Sequence, residues 1–256
     1  MKILAFSILY FIDKIIRIFY RQPRLAVLMY HSVSDTNWKF SLTEKELRSQ
    51  LRQIASEGFK FIGPGNFQNY LDDINSLKTD SVLVTFDDGY KDFIDNALPV
   101  LKEFDIESLL FIHTSRKSNN LGNNFVLLNN DEISECIKQG VMIGNHTRTH
   151  PDLKTLARSE LENEILGAQK DMMELFKERP MFFAYPGGKF NDEVVGTVKI
   201  TDFAGAFTVN SGLIGRNFDR YRLKRIGMYK SMSKIEIKAR LSVAGNIYEY
   251  IRRKLK

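Results

Sequence analysis

The run from Ser81 to Tyr90, S-V-L-V-T-F-D-D-G-Y, constrains this chain more than any other stretch. Ser81 to Phe86 is short, β-branched and nearly continuously apolar, the pattern of a strand buried on both faces. It ends abruptly in two adjacent carboxylates, Asp87 and Asp88, and then in Gly89, which frees the backbone to turn. In α/β folds the carboxyl end of such a strand is where chemistry is placed. Two neighbouring buried carboxylates repel, so a metal ion or a proton has to hold them there. Read alone, the same residues also suit an ordinary polar Asp-Gly turn.

A second stretch narrows that choice. The apolar run Val141 to Ile143 leads into G-N-H-T-R-T-H-P, which sets His146 and His150 four residues apart in a chain with only four histidines. On a helical turn that spacing puts both imidazoles on one face, where they can grip one transition metal. Asp88 with His146 and His150 makes a facial ligand set that leaves positions open for water and substrate. Zinc suits such a set, and cobalt, nickel and iron accept similar ligands. Asp87 is then free to act as general base, and a histidine, either His31 or His113, can protonate the leaving group. Together these residues describe metal-assisted hydrolysis of an amide or an ester.

The rest of the 256 residues alternates strand and helix patterns, which implies parallel strands with crossover helices. Leu25 to Tyr30 delivers His31 to a strand end, and Ser108 to Ile112 does the same for His113. Thr43 and Glu46 form a capping box at the head of a helix, and Pro99 kinks or divides the helix from Tyr90 to Phe104. Ser159 caps a helix running to about Phe176. Phe182 to Tyr185 ends in Pro186, Gly187 and Gly188, whose amides can face a developing oxyanion or serve only as a turn. Arg222 to Met228 is a last strand whose charged residues Arg222, Lys224 and Arg225 interrupt its apolar pattern. About seven or eight strands in this order predict a distorted (β/α) barrel.

The formal charge of +6 comes partly from the two ends of the chain. No Cys/His finger or paired aromatic-basic stretch of a nucleic-acid module is present, and the excess favours an anionic surface such as a membrane. The single cysteine, Cys136, excludes an intrachain disulfide and sits in a helical pattern as a structural thiol. Residues 1–22 form an amphipathic helix with a wide apolar face. The opposite face carries Lys2, Asp13, Lys14, Arg17 and Arg21. Its apolar run is too short to span a bilayer, which takes about 20 residues. It reads as a helix docked on the domain, as an interfacial membrane anchor, or as a signal peptide without a clear cleavage site. Residues 23–230 form the catalytic domain, and 231–256 a basic C-terminal helix.

The motifs T-F-D-D-G (Thr85 to Gly89) and H-T-R-T-H (His146 to His150), each after an apolar strand and in this order, resemble those of the polysaccharide deacetylases, the carbohydrate esterase 4 or NodB-homology family. The resemblance covers roughly Leu25 to Met228. It implies a (β/α)7-type barrel that removes acetyl groups from an N-acetylated glycan, with Asp87 as base and Asp88, His146 and His150 on the metal. Tyr185 to Gly188, Y-P-G-G, resembles the third family motif, so Tyr185, Pro186 and Gly187 are expected at the oxyanion and substrate groove. Many members carry an arginine there that orients the base; the matching place here is Ala184, and Arg225 is the candidate to supply that cation from a neighbouring strand. L-M-Y-H resembles the start of the poly-N-acetylglucosamine deacetylase branch, which favours His31 over His113 as general acid. A membrane-associated enzyme acting on a lipid-linked sugar and a lectin-like pseudo-enzyme are the rival expectations; cytoplasmic and secreted locations are alternatives, and no oligomeric state follows.

Overall fold

The computed structural model describes residues 2–19, 21–115 and 125–254. The polar loop expected to shape the groove falls, at 116–124, outside them. Helix α1 (Lys2–Phe19) precedes strand β1 (Leu25–Tyr30), and a short ladder of β2 (Ser32–Val33) and β3 (Ser41–Leu42) leads to α2 (Glu44–Ser56). Next come β4 (Lys60–Phe61), α3 (Pro64–Asp72), β5 (Ser81–Phe86), α4 (Leu98–Glu103) and β6 (Ser108–Ile112). The chain continues through α5 (Asn130–Lys138), β7 (Met142–Asn145), α6 (Arg158–Phe176), β8 (Phe182–Ala184), α7 (Asp192–Lys199) and β9 (Gly205–Phe207). It closes with β10 (Ile226–Gly227), α8 (Lys234–Arg240) and α9 (Val243–Lys254).

Seven strands run side by side in the order β10-β1-β5-β6-β7-β8-β9, with β4 added against β5. All of these pairings are parallel. The sheet curls so far that one short segment touches both of its edges. Leu223 bridges to Phe207 of β9, while Ile226, three residues on, pairs with Leu28 of β1. The distorted barrel anticipated from the alternation, of the (β/α)7 type that the family resemblance implies, is therefore the architecture of the chain.

Continuous apolar strands follow from burial on both faces. Leu25, Val27, Leu83, Leu109, Phe111, Phe182 and Phe207 share one core cluster with Phe67 of α3, whose ring stacks on Phe207 at 5.6 Å. The alternate residues Ala26, Leu28, Val82, Val84 and Leu110 join a second cluster with Leu47, Leu51 and Ile54 of α2. One residue face thus fills the barrel and the other meets the helical shell.

Local structure departs from expectation where a particular contact overrides the pattern. Phe93–Ala97 winds as a π-helical turn before α4, so Pro99 enters near the start of α4 and divides the segment. Ser159 lies inside α6; the helix starts one residue earlier, and the Glu160 carboxylate accepts from the Ala157 amide at 2.9 Å. The single C-terminal helix is two. Ser242 Oγ accepts from Gly245 N–H, and buried Asp13 of α1 accepts from Val243 and Ala244 N–H, giving α9 its own capped start. The strand expected over Arg222–Met228 shrinks to Ile226–Gly227, because the preceding residues bridge to β9 rather than β1.

Helix α1 is latched beneath the barrel, at the amino ends of β1 and β5. Asp80 accepts from the Arg24 amide (2.7 Å) and guanidinium (2.6 Å) and pairs with Arg17 of α1 at 3.0 Å. Burial raises the Asp80 pKa, but Arg24 and Arg17 outweigh it, so the net shift is downward. A carboxyl with a depressed folded pKa stabilises above its unfolded value, about 3.9, and loses that contribution as pH falls through the folded one. Asp80→Asn is expected to cost about 2 kcal/mol at pH 7 in urea unfolding. The gap to wild type should close below about pH 4, and a gap constant from neutral to acid pH would refute the assignment.

Candidate active site

The carboxyl ends of β1, β5, β6, β7 and β8 converge on one constellation. β5 places Asp87 and Asp88, and the chain turns at once with Asp88 at φ 75° and Gly89 at φ 73°. Glycine is required at the second position: a Cβ there would lie 2.9 Å from Ile112 Cγ2 of β6.

The two histidines meet by a route other than the helical turn that their spacing suggested. Residues 146–150 form a loop after β7, with Thr147 at φ 70° and His150 at φ 58°. Those two left-handed residues fold the loop back so that the imidazole rings stand 4.9 Å apart. Asn145 Oδ1 accepts from Thr147 N–H, and Thr147 Oγ1 accepts from His150 N–H. From α6, Glu164 takes the amides of Arg148 (2.9 Å) and Thr149 (2.8 Å), while Asp171 binds the Arg148 guanidinium through two contacts. Strained backbone is held here by hydrogen bonds from outside the loop.

Nε2 of His146 and of His150 lie 3.5 and 3.4 Å from Asp88 Oδ1, and all three ligand atoms fall within 4.8 Å of one another. Such separations match ligands about 2.1 Å from a shared tetrahedral ion, whose neighbours stand about 3.4 Å apart. His146 Nδ1–H donates to the Ala184 carbonyl at 2.8 Å, which fixes the tautomer and turns the Nε2 lone pair to the site. Ala184, noticed in the sequence for lacking an arginine side chain, contributes through its backbone. The donor set and its orientation fit a divalent cation.

Asp87 faces a different partner. Arg225, fully buried, donates from Nη1 and Nη2 to its two carboxylate oxygens at 2.6 and 2.7 Å. The same guanidinium donates to the Thr208 carbonyl (3.1 Å) and to Thr85 Oγ1 (3.3 Å), and lies over the Phe111 and Phe207 rings. The cation therefore comes from the segment that closes the barrel. Burial raises the Asp87 pKa, but the charge of Arg225 outweighs it, and the carboxyl stays below its ordinary value.

His31, at the end of β1, packs against Trp38 and Phe40 with ring centroids 5.5 and 5.1 Å away. Burial depresses its pKa, and the charges of Asp88 and Asp87 oppose that shift. His113 is buried at the end of β6, with its ring 6.2 Å from that of His150. Pro186 and Gly187 line a cleft of about 200 Å³ with His150 and Asp152. Tyr185 stands apart: its amide donates to Phe207 O and its hydroxyl to Tyr221 O, so neither reaches an oxyanion. Gly187, at φ 57°, is the member of this turn whose amide meets no hydrogen-bond acceptor among the described residues. Cys136 is buried in α5 with its thiol pushed up to about 12 by burial, a structural residue.

A barrel that gathers Asp88, His146 and His150 at its strand ends is consistent with a divalent metal site in a hydrolase. The family model for polysaccharide deacetylase matches residues 75–206, and the chain belongs to that family. The Bacillus subtilis protein YxkH is 26% identical over 213 residues, spanning 83% of this chain and 74% of its own. The poly-beta-1,6-N-acetyl-D-glucosamine N-deacetylase of Staphylococcus epidermidis is 29% identical over 196 residues, 73% of this chain and 68% of its own. Among solved structures, the Streptococcus pyogenes deacetylase PplD in complex with acetate superposes with a TM-score of 0.76 at 22% identity, over 86% of this chain and 100% of its own.

Glu164 carried no signal in the sequence, since a glutamate on a helix is ordinary; only the loop amides converging on it reveal its work. Glu164→Ala is expected to weaken zinc affinity of the refolded apoprotein about tenfold in calorimetric titration. Unchanged affinity would show that the loop holds its shape without the clamp.

Proposed function

We propose that the protein removes N-acetyl groups from a poly-N-acetylglucosamine-type glycan, with zinc as the resident cation. The observation that carries the reading is the division of labour between the adjacent aspartates: Asp88 faces the two imidazoles and Asp87 faces Arg225. The substrate class is supported by the likeness to the Staphylococcus epidermidis enzyme and by the aromatic wall beside His31. In that wall half-buried Trp38 packs with Phe40 (5.5 Å) and Phe125 (5.4 Å), with buried Tyr90 behind it (5.9 Å), a surface suited to the apolar faces of sugar rings.

Asp88, His146 and His150 would hold the cation, which supplies Lewis-acid activation of water and of the amide carbonyl. Asp87, kept ionised and oriented by Arg225, takes a proton from the attacking water. The Gly187 amide donates to the carbonyl oxygen as charge develops on it. His31, neutral at rest because burial lowers its pKa, is once protonated a stronger acid than free imidazole. It takes up a proton from solvent and delivers it to the departing nitrogen, Asp87 releases the water's proton to solvent, and amide plus water becomes amine plus acetate. His113 is too enclosed beside His150 to need a role in proton transfer.

Acetate release from β-1,6-linked N-acetylglucosamine oligomers should depend on added zinc after metal stripping. Asp87→Asn and His31→Ala should each lower kcat by about 100-fold or more while zinc still binds. Full turnover by His31→Ala would remove it as the acid. Tight oligomer binding without acetate release by the zinc-loaded wild type would replace the hydrolase with a glycan-binding module.

A further inference from the structure

Amphipathic helices of globular proteins turn their apolar side inward; α1 half-buries Phe6, Leu9 and Ile16 but leaves most of its apolar side outside. The face bearing Tyr10, Asp13 and Arg17 is bound to the domain: Tyr10 to Glu57, Arg17 to Asp80, and buried Asp13 to the amino end of α9. Ile3, Leu4, Ile8, Phe11, Ile12, Ile15, Ile18 and Phe19 are left exposed, Phe19 at 83%. The adjoining α9 bares Ile247, Tyr248, Tyr250 and Ile251. A bare apolar surface of this extent marks a contact. Hydrophobic contact alone does not choose the occupant, but charge does. Lys14 and Arg21 are exposed beside the apolar side, whereas Asp13, the acid of α1, is buried and bonded to the amides of α9. Between α1 and the domain, a cleft of about 450 Å³ is lined by these two cations, by Arg17 and Arg24, and by Asp13, Glu57 and Asp80, which balance most of that charge. Among the described residues no helix is long and apolar enough to cross a membrane.

We infer that α1 and α9 form a docking face for an anionic phospholipid bilayer, with the active site turned away from it. The apolar side chains would enter the acyl boundary, and the exposed Lys14 and Arg21 would meet lipid phosphates. Orientation follows from the latch. Asp80 and Arg24 lie at the amino ends of β5 and β1, whereas Asp87, Asp88 and His31 lie at their carboxyl ends, six strand residues away. That is about 20 Å along the strands. The mouth therefore opens to solvent, and, taken with the deacetylase reading, the substrate is a glycan strand standing off the bilayer. A sugar joined to a lipid at the headgroup level would lie on the wrong side of the barrel.

The single tryptophan, Trp38, sits at the mouth beside His31 and reports the orientation. The full chain is mixed with vesicles of phosphatidylcholine alone or with a third phosphatidylglycerol, carrying brominated acyl chains where quenching is read. Wild type should co-sediment with the anionic vesicles, release in high salt, and keep its Trp38 emission when bound. Phe11→Trp should add emission that the lipid quenches. Phe11→Asp with Ile15→Asp, and the milder serine pair, should reduce binding at least tenfold and leave acetate release from a soluble oligomer within twofold. Failure of wild type to bind, or a dimer that the aspartate pair converts to monomer, would overturn the bilayer in favour of a second copy. Quenching of Trp38 would overturn the orientation. Both readouts are independent of turnover, so a protein that docks as described but releases no acetate would refute only the deacetylase reading.

Discussion

The structure turns on one ion pair. Arg225 and Asp87 are buried together where a guanidinium and a carboxylate would each be strongly unfavourable alone, and each makes the other tolerable. Position gives the pair its wider importance. Arg225 belongs to the segment that touches β9 through Leu223 and β1 through Ile226, and Asp87 ends the neighbouring β5. Closing the barrel and charging the site are one event, and two aromatic rings and the Thr208 carbonyl complete the enclosure.

The two aspartates then differ by environment alone. Both are buried and adjacent in sequence, but the left-handed turn at Asp88 swings its carboxylate toward the histidines while Asp87 stays with Arg225. Turning one carboxylate to Arg225 and the other to two imidazoles answers the repulsion that makes a buried Asp-Asp pair demanding. On the other side of the site, the histidine loop depends on α6 through Glu164 and Asp171, and on β8 through the Ala184 carbonyl. Chemistry resides in loops here, and their geometry is imposed from regular elements behind them.

Parallel strands, barrel class and the cluster of Asp88, His146 and His150 were legible because each rests on local pattern: apolar runs, alternation and short motifs. What was hidden depends on the third dimension. His spacing of four suggested a helical turn, yet Thr147 and His150 achieve the convergence through positive φ, a conformation that threonine and histidine do not advertise. Ser159 looked like a cap because composition cannot show which residue is the first in helical geometry. Tyr185 belonged to a motif suggestive of an oxyanion site, but sheet pairing with Phe207 had already claimed its amide. Arg225 interrupted a strand pattern and, through the family resemblance, was the candidate cation for the base; the same charge that spoiled the pattern forms the pair at the centre of the barrel. For α1 the amphipathic character was plain, while the direction of its apolar side depended on Asp13 and Arg17 finding partners on the domain.

The account's central claim is that Arg225 and Asp87 work as one unit in both closure and chemistry. A double-mutant cycle of Asp87→Asn and Arg225→Met, read by urea unfolding of the metal-free protein, tests it without reference to any substrate. The account predicts a coupling of about 2 kcal/mol or more, with the double variant more stable than either single one because it leaves no unpaired buried charge. Additivity within about 0.5 kcal/mol would contradict it.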